Sequence, residues 1–138
     1  MRVVTTGSRG WGNRRIIKQV MQDAHKRSPI TLVYHGGARG ADRLVSKVCE
    51  DMGIPVKVYA ANWSTGKGAG IRRNIEMVET MPDLLIAFWD GASRGTKQCF
   101  GYAHALGIPV WLVREAPSGE RLVSRHTDKS DRSTQLSL

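Results

Sequence analysis

A chain of 138 residues, 41% of them hydrophobic, can bury one sizeable core and is too short for two ordinary domains. Its formal net charge of +9 points to an anionic partner, and that charge sits in the body: from Arg114 onward five Lys/Arg face four Asp/Glu, a surplus of one, which leaves +8 to residues 1–113. No apolar run approaches the roughly 18 residues of a membrane span, and the opening MRVVTTGSRGWGN is too broken by glycine and polar residues for a secretion signal, so a cytoplasmic protein with no membrane partner is expected.

The first β-rich run, Arg2 to Thr6, reads as a strand. Behind it Ile16, Ile17, Val20, Met21 and Ala24 recur at helical spacing until Ser28-Pro29. Thr31 to Tyr34 reads as the second strand, and Leu44, Val45, Val48, Cys49 and Met52 as a helix that stops at Gly53-Ile54-Pro55. Val56 to Tyr59 is a third strand, and a helix is predicted from about Arg72 to Met81, before Pro82. Leu84 to Trp89 is a fourth strand, followed by a helix from about Gly95 to Leu106 and a closing strand, Pro109 to Val113. Strands that alternate with helices and are apolar on both faces predict a single α/β domain, a doubly wound parallel sheet of about five strands covered on both sides. Residues 115–138 are polar and read as a mobile tail, with a little helix around Gly119 to Ser124. Cys49 and Cys99 fall in helical patterns without CxxC spacing and read as reduced core thiols. No cluster of His, Cys and carboxylates suggests a metal, and no cofactor is expected.

In such a sheet ligands bind outside the carboxyl ends of the strands. Three loops there are glycine-rich, carry an arginine and run into a helix: Thr5 to Asn13, His35 to Asp42, and Asp90 to Thr96. The helix-to-strand turns at the opposite edge are short and built on proline. Glycine admits close backbone approach and helix amino termini offer unpaired N–H groups, so these loops read as phosphate cradles. The candidate binding residues are Gly7, Ser8, Arg9 and Trp11 in the first loop, His35, Gly36, Gly37, Ala38, Arg39 and Gly40 in the second, and Gly91, Ser93, Arg94, Gly95 and Thr96 in the third. Arg73, with Asn74 beside it, would complete an anion clamp, since forked guanidinium donors suit phosphate. Asp42 is either a helix-terminus carboxylate or a hydrogen-bond acceptor for ribose hydroxyls. Trp63, in the long connection Ala60 to Ile71, and Trp11 each either stack on a base or plug the sheet edge. No loop matches the P-loop or the full GxGxxG fingerprint, so neither an ATPase nor an ordinary NAD oxidoreductase is implied.

The set TTGSRGW, HGGARGAD, IRRNIEM and FWDGASRGT resembles the YspA-like, CpYpsA-related branch of the SLOG superfamily over roughly Met1 to Val113. The resemblance implies a Rossmann-like fold and a nucleotide-derived ligand. Two relatives refine the expectation. The LONELY GUY phosphoribohydrolases, which cleave the N-glycosidic bond of nucleoside monophosphates, are similar around Arg73 to Met77. Their PGGxGTxxE motif differs here: proline is absent and Cys99 stands where the catalytic glutamate would be. A thiol in place of that carboxylate leaves Asp42 or Glu76 to supply it, with Arg73 orienting phosphate, and a nucleotide sensor is the alternative to a hydrolase. The DNA-processing family has an SGxAxGID motif similar to Gly36 to Asp42, which makes single-stranded DNA the second candidate partner. A homo-oligomer is expected, as for many small domains of this kind.

Overall fold

The computed structural model describes residues 1–127. Strands β1 (Arg2–Gly7), β2 (Leu32–His35), β3 (Val56–Val58), β4 (Leu84–Phe88), β5 (Val110–Glu115) and β6 (Arg121–His126) alternate with helices α1 (Arg14–Arg27), α2 (Ala41–Met52), α3 (Ala69–Glu79) and α4 (Arg94–Ala105) up to β5. They form one sheet in the order β3-β2-β1-β4-β5-β6, parallel except for β6. The first five strands follow the Rossmann-like doubly wound order.

The chain steps outward from β1 to β3, then crosses back to β4, so its helices change face halfway. Side chains alternate across each strand and sort into two cores. Val3, Val33, Ile86, Phe88, Trp111 and Val113 pack with Ile16, Ile17, Val20 and Met21 of α1 and Val45, Val48 and Cys49 of α2. Val4, Tyr34, Leu85, Ala87, Trp89 and Leu112 pack with Met77 and Val78 of α3 and Cys99, Phe100 and Ala103 of α4. The start of α1 is fixed by Asn13, whose Oδ1 accepts from the Ile16 amide at 3.0 Å. The helix α2 ends on Gly53 in the left-handed conformation, the stop its Gly-Ile-Pro turn predicts. Helix α3 begins three residues earlier than the apolar spacing indicates, because Ala69 and Gly70 already follow the Gly66–Gly68 turn.

The tail is where expectation and structure part. Residues 121–126, expected as mobile chain with a little helix, form β6, antiparallel to β5 with Val113 opposite Val123 and Trp111 opposite Arg125. A reversal at Ala116 to Glu120, with Gly119 at φ +87, returns the chain. Side-chain contacts reinforce the backbone ladder. Val123 packs on the α1 core, and the Arg125 guanidinium lies 4.6 Å from the Trp111 ring centroid while reaching Asp23 at 2.8 Å. An edge strand held largely by its backbone ladder, with a single side chain packed on the core, leaves almost no hydrophobic alternation to read in the sequence. Arg125→Ala should therefore cost about 1 kcal/mol, the sum of a cation–π contact and a half-exposed ion pair, measurable by urea denaturation. The rest of the expected tail, residues 128–138, lies outside the described residues.

Candidate functional site

The reversal of strand order between β1 and β4 opens a crevice at their carboxyl ends, because β1 feeds α1 on one face and β4 feeds α4 on the other. A cavity of about 440 Å³ occupies it. Its floor is Thr5, Thr6 and Gly7 at the end of β1; its walls come from Gly36, Ala38 and Asp42, from Arg73, Asn74 and Met77 of α3, and from Asp90, Ser93, Gly95 and Thr96. Arg9, Trp63 and Lys67 stand at its rim.

The sharp turn into α2 is what brings Asp42 here. Gly40 has φ +76, and a Cβ on it would strike the carbonyl of Arg9, so only glycine lets the two loops close on each other. Asp42 is buried, 5% exposed, and its Oδ2 accepts from the amides of Gly36 at 3.2 Å and Ala38 at 3.1 Å. Its Oδ1 is buried without a partner, as is Thr5 Oγ1. Burial pushes the Asp42 carboxyl up from 3.8 to about 6, outweighing the two amides and the nearby Arg73 guanidinium, which favour the charged form. The residue is thus more than a helix cap: one oxygen orders the loop and the other is buried and unpaired in a residue that lines the cavity.

Arg73 enters from α3. Its Nη1 donates to the carbonyls of Gly36 at 2.7 Å and Tyr59 at 3.2 Å, and its Nε to Asn74 Oδ1 at 2.8 Å, which leaves Nη2 without a protein partner among the described residues. Gly36 has no side chain because the guanidinium occupies the place a Cβ would take. Asn74 completes the brace, donating from Nδ2 to the carbonyl of Gly95 at 3.3 Å and so tying α3 to the start of α4. Helices α3 and α4 both begin beside the cavity, through Gly70 and Gly95, with no acidic residue in the first turn. Asp90 stands just before α4; its Oδ1 accepts from the amides of Ala92 and Ser93 at 2.8 Å, which hold its carboxyl below the usual range.

The structure gathers Gly7, Arg9, Gly36, Ala38, Asp42, Arg73, Asn74, Ser93, Gly95 and Thr96 around one cavity, as the loops predict. It removes others. Trp11 is core, 5.7 Å from Phe88 between ring centroids, with Nε1 donating to the Asn13 carbonyl. Ser8 is buried, and its amide, carbonyl and hydroxyl are spent on Phe88, on Trp11 and Ala41, and on the Asp90 amide. His35 is buried, accepting on Nδ1 from the Gly37 amide and facing Ser46 with Nε2; burial, and secondarily Arg73, lowers its pKa to about 4, so it is neutral. Gly40 and Gly91 serve their turns without lining the cavity, and Arg94 is exposed and outside its lining. Gly37 and Arg39 border a neighbouring groove instead.

Glu76 is a correction of a different kind. It is exposed, one step around α3 from Arg73 and Met77, and does not line the cavity, because the inward stripe of α3 is Arg73, Asn74 and Met77. Glu76→Gln should leave ligand affinity unchanged and stability within about 0.5 kcal/mol, checked by calorimetry and melting. Cys99 is no substitute for a carboxylate either: it is fully buried in the α4 core and burial pushes its thiol up to about 12.

Sequence reasoning missed Thr5, Thr6, Lys67, Met77 and Asp90. Thr5 and Thr6 were readable: they are the last polar side chains of β1 before its loop, and strand ends line this crevice. Trp63, left between a base platform and a plug, is 55% exposed at the rim, its ring centroid 5.8 Å from the Arg9 guanidinium. Among the described residues no group of three or more His, Cys, Asp or Glu gathers where it could hold a metal ion, and no helix is long and apolar enough to cross a membrane.

This arrangement can bind a small polar anion: Arg73, Lys67 and the amino end of α3 line the same cavity as the polar side chains of Thr5, Thr6, Ser93 and Thr96. Residues 1–66, which carry the first two glycine loops and Asp42, match the YspA, cpYpsA-related SLOG family. The chain is also similar to the Gene 61 protein of Mycobacterium phage D29, 41% identical over 123 residues that cover 84% of this chain and 98% of that protein. With the motifs, the Rossmann-like strand order and this match in agreement, the chain belongs to the YspA, cpYpsA-related SLOG family.

Proposed function

We propose that the cavity binds a nucleotide or nucleotide-derived phosphate ligand. The observation that carries this reading is that Thr5, Asp42 and Arg73 line one cavity, with Asp42 Oδ1 and Thr5 Oγ1 buried without partners and the braced guanidinium keeping Nη2 unpaired among the described residues. Buried polar atoms are normally satisfied, and an unsatisfied pair beside a cation asks for a ligand that supplies hydroxyl donors and an anion together. A sugar phosphate has both. The volume of about 440 Å³ falls within the roughly 300–1,000 Å³ of small-molecule sites. Phosphate belongs on the side of Arg73, Lys67 and the amino end of α3, since Asp90 already places a carboxylate at the amino end of α4.

If the bound nucleotide is cleaved, Asp42 supplies the carboxylate. Its carboxyl, raised to about 6, changes protonation near neutral pH, as a proton-transferring group requires, whereas Asp90 stays ionised.

A thermal-shift screen tests the reading. A ligand at roughly a hundredfold excess over its Kd stabilises the native state by about 3 kcal/mol, which is several degrees in Tm. Stabilisation by one nucleoside 5′-monophosphate that survives moderate salt supports the cavity, and release of free base from that compound separates hydrolase from sensor. Stabilisation by single-stranded DNA alone, lost as salt rises, would replace this reading with nucleic-acid binding.

A further inference from the structure

Beside the inner cavity lies a second groove, of about 570 Å³, on the outer side of the β2–α2 loop. The two share Arg9, Gly36, Ala38, Trp63 and Arg73, so they are compartments of one cleft divided by the Arg73 guanidinium. Their chemistry differs. The inner compartment holds two carboxylates, Asp42 and Asp90, among its cations. The outer one is lined by Arg9, Arg39, Arg43 and Arg73 and by no acidic residue. Within the described residues Arg9, Arg39 and Arg43 make no ion pair and no hydrogen bond through their side chains, and Arg73 donates only to neutral oxygens.

Arg9, Arg39 and Arg43 line this groove with no carboxylate to pair them among the described residues, and such a set of like charges is relieved by an anion. A guanidinium also matches a phosphate with two parallel donors. Asp42 stands between the compartments: it lines the inner cavity, and its first-turn neighbour Arg43 lines the outer groove. A sugar held at Asp42 therefore has cationic walls on both sides.

We infer that the ligand of this cleft carries two separate phosphate groups, the second one seated among Arg9, Arg39 and Arg43. This rests on the nucleotide reading above and narrows it to nucleotides with a second phosphate, attached either at the 3′ position or through a 5′-diphosphate. Trp63, at the mouth shared by both compartments, closes over the sugar or base between them.

The test compares, by calorimetry at low salt, the four common nucleoside 5′-monophosphates with the corresponding 5′-diphosphates and 3′,5′-bisphosphates, on the wild-type chain and on Arg43→Ala, alone and combined with Arg39→Ala. Both arginines are exposed and lie outside the inner cavity, so melting curves will confirm folded variants. For the preferred base, a second phosphate should tighten wild-type binding by roughly tenfold or more, an advantage that shrinks with added salt. The position that confers it identifies the source. Arg43→Ala should remove most of that advantage and the double variant all of it, while monophosphate affinity changes by no more than about threefold. Monophosphate and two-phosphate ligands binding alike to the wild type would overturn the second site and leave the nucleotide reading intact. Equal loss of both ligand classes in the variants would also overturn it, since the groove would then be part of the first site. Failure of every nucleotide to bind the wild type would remove both readings.

Discussion

Arg73→Ala is expected to weaken phosphate-bearing ligands by about 1.5 to 3 kcal/mol, roughly ten- to a hundredfold in Kd, the usual cost of losing a hydrogen bond to a charged group. The side chain has the geometry for such an effect. Two backbone carbonyls and Asn74 fix the guanidinium before any ligand arrives, so little rotamer entropy is lost on binding. Lysine cannot reproduce this, because one ammonium cannot brace against Gly36 and Tyr59 while presenting a planar fork to phosphate. Gly36→Ala approaches the same result from the opposite side, since its Cβ would take the space of the guanidinium. Both variants should also melt lower than wild type, as Gly36 is buried and its carbonyl would lose its Arg73 donor. Undiminished affinity in a folded Arg73→Ala protein, measured by calorimetry, would remove Arg73 from the site.

Asp42→Asn should separate binding from stability. The Asp42 carboxyl has its pKa raised in the folded state, so its contribution to stability is fully present below 3.8 and is lost as pH rises through about 6; above that, the buried charge costs about 3 kcal/mol. His35 runs the other way. Its pKa is depressed from 6.5 to about 4, so its contribution is present above 6.5 and disappears as pH falls through about 4, again about 3 kcal/mol. Between pH 4 and 6 the two slopes nearly cancel, and the wild-type protein should show a flat stability profile there. Asparagine keeps an acceptor for the Gly36 and Ala38 amides and carries no charge. The variant should be more stable than wild type at pH 8 by about 1 to 3 kcal/mol, and its stability should climb with pH from 4 to 6.5, because the His35 slope is no longer opposed. Nucleotide affinity should fall at the same time, since an amide is a poorer partner than a carboxylate for sugar hydroxyls. Urea denaturation across this pH range measures the first effect; a variant less stable than wild type at pH 8, with an unchanged pH profile, would show that the Asp42 charge is not strained.

Such a trade of stability for an unpaired buried carboxylate is what a binding site requires and a core does not. It also marks how far the sequence could be read. Apolar runs and proline turns disclosed the five parallel strands and four helices, because each buries a continuous stripe: Ile16, Ile17, Val20, Met21 and Ala24 of α1 are all core. The sixth strand stayed hidden because it is fastened by Arg125 on Trp111 rather than by apolar alternation. At the site, loop position identified which segments converge, since the strand order alone places them at one edge. It could not tell which side chains of those loops point inward. Ser8, His35 and Trp11 lie in the expected loops, yet their polar atoms are consumed in holding the loops together. Helical phase was only a partial guide: Met77, four residues after Arg73, turns inward with it, whereas Glu76, three residues after, is equally in phase and yet lies exposed outside the cavity.

The central claim is that the β1/β4 crevice takes the nucleotide, and an amide-resolved NMR titration of the folded chain with the nucleoside 5′-monophosphate that most raises its Tm tests it most directly. The expected shifts are confined to the amides of Thr5 to Gly10, Gly36 to Asp42, Trp63 to Met77 and Asp90 to Thr96, where the cavity floor, walls and rim lie. Shifts centred instead on the groove between α1 and β6, or none at saturating nucleotide, would contradict it.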